Sequence, residues 1–195
     1  AWGLLAAGPG AGGLWGPALG QAPAAAVRSA RQRVGLVFTG GRLLRHLALG
    51  ENVALPAAYR GAAPLTALAR QLFEAAGLTP WATWRPADAG PGPRLRAALV
   101  RPLTLRPELP RLDEPLLGLD PAEAAWWQDY LAGATALPVP PTVVLATYDP
   151  RPWRERGPRL AALHDARWEV LPPGATDAAL PAQLRPRQRR SPGEK

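Results

Sequence analysis

Four apolar runs, each bounded by glycine, proline or polar residues, predict the strands of this chain. They lie near residues 3–7, 34–38, 109–113 and 142–147. Short runs rich in valine and leucine are typical of buried strands. The run at 109–113 is the least regular, because Pro110 and Arg111 interrupt it. We therefore expect this strand to be the weakest of the four.

Apolar residues at helical spacing predict the helices. In the segment 65–78, such residues recur at positions 65, 68, 69, 72, 73, 75 and 76, and Gly77 is a stop signal. A shorter helix is expected at 27–33. Two further helices are expected at 94–105, with Pro102 as a kink, and at 121–131, which begins with a proline.

The composition indicates one domain with shortened regular elements. The chain has 195 residues, of which 25 are proline and 20 are glycine. It has no cysteine, which excludes disulfides, thiolate metal sites and cysteine nucleophiles. We expect neither a membrane-spanning segment nor a signal peptide. Because the chain begins at Ala1 rather than at methionine, we expect it to be a piece of a longer protein.

The charge is strongly positive and comes almost entirely from arginine. The formal net charge is +8, and Lys195 is the only lysine. A compositional bias toward alanine, arginine, glycine and proline explains this charge, and a nucleic-acid or anionic-lipid partner is the less favoured interpretation. No position before 195 can supply an ammonium group to hold a phosphate.

Two segments carry candidate chemistry. The adjacent carboxylates Asp113 and Glu114 follow an apolar run, so the first could hold Mg²⁺ and the second could polarise a water molecule. The glycine-rich segment at 8–13 could present backbone N–H groups to a phosphate. On these residues alone, a solvated acidic loop and a glycine- and proline-rich turn without a ligand stay open as alternatives.

The longer string around the carboxylates is much more specific. Residues 106–121, RPELPRLDEPLLGLDP, closely resemble the Walker B and D-loop segment of ATP-binding-cassette (ABC) transporter ATPases. The other motifs of that family also occur along this chain, in the same order as in the family. They are the phosphate loop at 8–13, the segment 34–56, the signature region at 86–101, the strand before Thr147-Tyr148-Asp149 and a closing hairpin at 160–170.

The resemblance implies a fold as well as a function. The domain would be α/β and P-loop NTPase-like, with a mainly parallel sheet flanked by helices and a truncated N-terminal part. A helical subdomain would lie at about residues 60–105. Residues 1–175 would form the degenerate ABC ATPase-like domain, and residues 176–195 a basic, disordered tail.

The resemblance also assigns roles to residues at matching positions. Glu114 stands at the position of the catalytic base, and Asp113 at that of the carboxylate linked to Mg²⁺ through water. The glycines at nucleotide-binding positions are Gly8, Gly10, Gly12, Gly13 and Gly92. The D-loop, which crosses the dimer interface in the family, corresponds to Gly118, Leu119 and Asp120.

Four motifs depart from the family at functional positions. Leu14 and Trp15 replace the lysine and the serine or threonine of the phosphate loop. Thr39 replaces a glutamine that senses the γ-phosphate through Mg²⁺ and water, and Tyr148 replaces a histidine that contacts this phosphate. In the signature, the substituted positions are Gly90, Pro91 and Pro93. Because phosphoryl transfer depends on positioning and charge, we expect little hydrolysis.

The resemblance therefore implies an ATP-binding subunit of an ABC transporter that couples ATP to membrane transport, with impaired or absent hydrolysis. ATP and Mg²⁺ would be its cofactors. A transmembrane permease subunit and a second nucleotide-binding subunit would be its partners, at the cytoplasmic face of the cell membrane. A scaffold or regulatory subunit that binds no nucleotide, and a decayed remnant, stay open as alternatives.

Overall fold

A computed structural model describes residues 22–61, 66–135, 142–154, 161–164 and 167–171. The chain divides into two compact units, Ala1–Ala146 and Thr147–Lys195. The first contains a three-stranded sheet with helices, and the second contains a short helix and a two-stranded sheet. The strand expected at 3–7 lies outside the described residues.

Helices and strands follow one another along the chain as an α/β fold requires. In the first unit they are α1 (Ala24–Gln32), β1 (Val34–Val37), α2 (Leu49–Tyr59), α3 (Ala67–Ala75), α4 (Pro91–Leu103), β2 (Leu109–Asp113), α5 (Pro121–Thr135) and β3 (Val144–Ala146), with a 3-10 turn at Thr79–Trp81. In the second unit they are α6 (Arg151–Arg154), β4 (Ala161–His164) and β5 (Arg167–Val170). The predicted α/β class is confirmed.

The sheet of the first unit is parallel, with β2 between β1 and β3. β3 pairs with β2 only from Arg111 onward, where Arg111 lies opposite Val144. Pro110, which has no N–H group, therefore precedes the part of β2 that is paired on both sides. The side chain of Pro110 is buried, whereas that of Arg111 is on the exposed face. This arrangement explains how a strand with two unfavourable residues forms over the predicted span.

The sheet of the second unit is an antiparallel hairpin. β4 pairs with β5, and His164 lies opposite Arg167. The expected closing hairpin is therefore present, and residues 165 and 166 lie outside the described residues.

The hydrophobic core of the first unit lies among α2, α3 and α4. Its buried residues are Leu49, Val53, Phe73, Ala76, Leu78, Ala89, Ala97 and Val100. α3, the 3-10 turn and α4 lie within the span expected for a helical subdomain. α2 was not predicted as a helix, and Pro56 lies inside it. Its first N–H groups, of Leu49 and Gly50, donate to the carbonyl oxygens of Trp84 and Ala82 at 2.9 Å each.

One buried amide organises the loop before α2. Asn52 is fully buried, and its Oδ1 accepts a hydrogen bond from the N–H of Leu44 at 2.8 Å. Its Nδ2 group approaches three carbonyl oxygens, those of Leu44, Leu47 and Ala48, at 3.0–3.1 Å. A buried polar group is tolerated only when it is paired in this way, so Asn52 fixes the loop at 44–48.

Asn52→Asp should destabilise the protein strongly. The change replaces the buried donor with a carboxylate oxygen that faces three carbonyl oxygens. We expect a loss of about 3 kcal/mol in the free energy of unfolding, measured by urea denaturation. Gln71→Glu is the matched control, because it makes the same chemical change on the exposed face of α3. Equal effects of the two substitutions would contradict the role given to Asn52.

Candidate functional site

The two adjacent carboxylates lie at the carboxyl end of the central strand. Asp113 is the last residue of β2, and the N–H of Glu114 donates to the carbonyl oxygen of Ala146 at 2.9 Å. Glu114 has a φ of 45°, which is uncommon for a residue other than glycine. Such a conformation costs about 1–3 kcal/mol and persists only where the surrounding structure enforces it. The backbone therefore turns sharply between the two side chains.

Thr39 and Asp113 are brought together by the parallel pairing of β1 and β2. The hydroxyl of Thr39 lies 2.9 Å from Asp113 Oδ2 and 3.3 Å from the carbonyl oxygen of the same residue. Thr39 holds the position that resembles the glutamine of the family. Its hydroxyl is too short to reach far beyond the strand end, and it is hydrogen-bonded to the carboxylate itself.

The carboxylate of Asp113 could bind a magnesium ion whose other ligands are phosphate oxygens and water. Within the described ranges, no three histidine or acidic side chains gather at one point. Mg²⁺ is commonly held by one or two carboxylates together with phosphate oxygens and water. A carboxylate offers about four acceptor sites, and the exposed Asp113 uses one of them for Thr39.

Helix α4 supports the loop that contains Thr39. Arg101 lies in α4 and donates to the carbonyl oxygens of Arg42 and Gly41 at 3.2 and 3.4 Å. Burial lowers the pKa of the Arg101 guanidinium, which nonetheless stays protonated. Gly41 has a φ of 83°, and a Cβ there would lie 2.9 Å from the Cβ of Ala98. The loop after β1 therefore has a closely determined path over α4.

The D-loop residues form a turn that leads into α5. Gly118 has a φ of 77°, and the N–H of Leu119 donates to the carbonyl oxygen of Leu116 at 3.2 Å. Asp120 caps α5, because its Oδ1 accepts from the N–H of Glu123 at 2.9 Å and its carbonyl oxygen accepts from the N–H of Ala124 at 2.9 Å. Asp120 therefore has a structural role within this chain.

The signature positions lie at the start of α4. Gly90 precedes the helix with a φ of 72°, and Pro91, Gly92 and Pro93 are its first three residues. A helix N-terminus binds anions through its unpaired N–H groups and its dipole. Because two of these three residues are prolines, only Gly92 offers an N–H group in that part of the first turn.

Sequence reasoning missed an ion pair beside this helix. The guanidinium of Arg96 in α4 makes two hydrogen bonds to the carboxylate of Glu123 in α5, at 2.6 and 2.9 Å. The spacing from Asp120 to Glu123 is that of a capping box, which is a signal the sequence does contain. In the structure, however, the Glu123 side chain turns to Arg96.

The remaining site residues lie either outside the described residues or in the second unit. Gly8, Gly10, Gly12, Gly13, Leu14 and Trp15 lie outside the described residues. Tyr148 belongs to the second unit and is 92% exposed. Of the sequence-predicted site residues, the structure brings Thr39 and Asp113 into contact, and Glu114 is the residue that follows Asp113.

Comparison with known proteins identifies relatives. No protein-family profile matches the chain. It is 32% identical over 155 residues to the methionine import ATP-binding protein MetN of Caulobacter vibrioides, which covers 78% of this chain and 46% of that protein. It is 34% identical over 142 residues to the lipoprotein-releasing system ATP-binding protein LolD of Treponema pallidum, which covers 72% of this chain and 59% of that protein. The chain thus spans about half the length of these two curated relatives.

A solved structure shares the fold. It is a dimeric ATP-binding cassette in a post-hydrolysis state with ADP and Pi, and it superimposes with a TM-score of 0.65 at 24% sequence identity. The match covers 77% of this chain and 68% of that chain. The P-loop fold of the ABC ATPases is therefore the fold of this chain. The order of its motifs and its curated relatives show that the chain belongs to the family of ABC transporter ATP-binding subunits.

Proposed function

We propose that this chain provides the ATP-binding part of an ABC transporter subunit whose hydrolysis of ATP is impaired or absent. The relatives support the first half of this proposal, since both are named as ATP-binding proteins of transport systems. The contact between Thr39 and Asp113 carries the second half.

The position of Thr39 bears directly on catalysis. At the strand end, a glutamine could extend toward a metal-bound water, whereas the threonine hydroxyl is 2.9 Å from the carboxylate of Asp113. Glu114, as the base, and Asp113, as the Mg²⁺-linked carboxylate, would then act without the group that orients the water. Losing one preorganised donor typically costs about a hundred- to a thousand-fold in rate.

Substitutions at the phosphate-binding positions should weaken nucleotide binding further. Leu14 offers no charge to the β- and γ-phosphates, and Trp15 offers no hydroxyl to Mg²⁺. Pro91 and Pro93 each remove an N–H group from the first turn of α4. Gly8, Gly10, Gly12 and Gly13 would still allow the backbone to approach a phosphate. These losses act on one site, so their costs need not add.

The proposed partners are a transmembrane permease and a second nucleotide-binding subunit at the cytoplasmic face of the membrane. The segment before and along α2 is the proposed contact with the permease. It exposes apolar side chains, with Leu55 and Tyr59 one turn apart on α2, and Leu44 before the helix. In the described part of the chain, no helix is both long and apolar enough to cross a membrane.

One observation favours a second candidate function. Lysine is missing from every position before 195, so the phosphate loop has no ammonium group. A subunit that binds no nucleotide and serves as a scaffold or regulator has no need of this lysine, so its absence fits that function as well. Titration of the purified chain with Mg·ATP separates the two candidates, because only the first predicts binding heat.

Restoring the phosphate loop should restore affinity. We expect Leu14→Lys with Trp15→Ser to tighten the binding of Mg·ATP by about ten- to a hundred-fold, because a charge-assisted hydrogen bond and a metal ligand are added. Isothermal titration calorimetry measures this change. Leu14→Met with Trp15→Ser is the matched control, since it keeps the volume at position 14 without the charge. Equal affinities in the two variants, or rapid hydrolysis by the unmodified chain, would contradict the proposal.

Thr39→Gln should strengthen the contribution of Mg²⁺ to nucleotide binding. In the Leu14→Lys, Trp15→Ser background, we expect the ratio of affinities with Mg²⁺ and with EDTA to rise about fivefold, which corresponds to one added hydrogen bond. Thr39→Val keeps the shape of the residue and removes the bond to Asp113, so this variant should show no rise. The interpretation of Thr39 would be wrong if the valine variant matched the glutamine variant.

A further inference from the structure

The first turn of α4 touches α5 at a position that has no room for a side chain. A Cβ added to Gly92 would lie 2.8 Å from Glu123 Oε1 and 2.9 Å from Glu123 Cδ. Real Cβ atoms do not approach neighbouring atoms so closely. The contact therefore requires a glycine unless the carboxylate of Glu123 moves away.

The carboxylate cannot move without breaking other contacts. Arg96 Nε lies 2.9 Å from Glu123 Oε2, and Arg96 Nη2 lies 2.6 Å from Glu123 Oε1. The two side chains are only 21% and 19% exposed, so water screens them less than it screens a surface pair. Bidentate pairing also fixes the orientation of both groups.

Arg96 is itself held in place from two more sides. Its Nη1 donates to the carbonyl oxygen of Ala76 at the end of α3, at 3.3 Å. Its guanidinium carbon lies 4.2 Å from the centroid of the Trp126 ring, which stacks on Tyr130 at 4.8 Å. Burial raises the pKa of the Tyr130 phenol to about 12.

Glu123 also connects this cluster to the D-loop. Its N–H group donates to Asp120 Oδ1 at 2.9 Å, and the next N–H, of Ala124, donates to the carbonyl oxygen of Asp120 at 2.9 Å. The side chain of Glu123 thus contacts α4, while its main chain is part of the cap of α5. Any displacement of Glu123 should disturb the turn from Gly118 to Asp120.

We propose that Gly92, Arg96 and Glu123 form a clamp that ties the signature end of α4 to the D-loop, with Arg96 and Glu123 as positioning residues. Glycine at 92 is then required by this contact, whether or not a phosphate binds there. The meaning of the clamp rests on the proposed function, because both segments it joins correspond to motifs that face the second subunit. Its existence does not depend on nucleotide.

The clamp is tested by amide hydrogen exchange of the full chain without nucleotide. We expect Gly92→Ala to accelerate exchange in residues 118–124 by about tenfold or more, since the methyl group displaces Glu123. The amide of Leu112 in β2 should stay within about twofold of its original rate, because this opening is local. A merely structural loss of stability would accelerate both regions alike and would overturn the proposal.

Three further variants make the test specific. Gly133→Ala is the matched control, since a Cβ there meets nothing within 4 Å, and we expect it to leave residues 118–124 unchanged. Glu123→Asp shortens the side chain and should rescue Gly92→Ala. Glu123→Ala alone should accelerate the same segment without adding bulk, which keeps the test valid if Gly92→Ala does not fold.

The double variant decides the mechanism. In the Glu123→Ala background, Gly92→Ala should add no further acceleration, because the atoms it would displace are gone. An undiminished effect in that background would overturn the clamp. Calorimetry with Mg·ATP on the same variants reports on the proposed function separately, so failure of one proposal is distinguishable from failure of the other.

Discussion

Close packing against α4 is the constraint on which the rest of the first unit depends. A Cβ on Gly35 would lie 3.2 Å from the Cβ of Pro102, and a Cβ on Gly41 would lie 2.9 Å from that of Ala98. β1 therefore lies tightly against α4, and at Gly41 the loop after β1 lies so close to α4 that a side chain would not fit without a shift. Since α4 also packs against α2 and α3, the sheet edge with Asp113 and the helical core are held by one helix.

The polar groups at the strand ends depend on this packing. Arg101 is long enough to reach the carbonyl oxygens of Gly41 and Arg42 only because the loop lies directly over α4. The same loop places Thr39 beside Asp113. The strained backbone of Glu114 is retained because its N–H group continues the pairing of β2 with β3. The bonds of Arg101, the bond between Thr39 and Asp113, and the φ of Glu114 all depend on backbone positions that α4 and the neighbouring strands determine.

Local signals were sufficient for much of the fold. The predicted span of β2 is the observed one, and α3 lies inside the segment predicted from its apolar spacing. α4 begins at Pro91 rather than at 94, because prolines fit the first turn of a helix. α2 escaped prediction, since its start is stabilised by carbonyl groups more than thirty residues away in sequence, at Ala82 and Trp84.

Long-range contacts explain what the sequence could not predict at the candidate site. The motif order identified Thr39 and Asp113 separately, but the hydrogen bond between them joins residues 74 positions apart. Arg96 and Glu123 are 27 positions apart, and neither is among the residues to which the resemblance assigned a role. Pairing of this kind depends on how elements meet in space, and a single sequence contains no pattern for it.

The amide of Asn52 has a consequence for the length of the chain around it. Its side chain satisfies backbone groups at both ends of the segment 44–48, from the N–H of Leu44 to the carbonyl oxygen of Ala48. One added or deleted residue would carry one of these groups out of reach of the amide. Surface loops usually accept insertions, yet the hydrogen bonds of Asn52 restrict this loop to a single length.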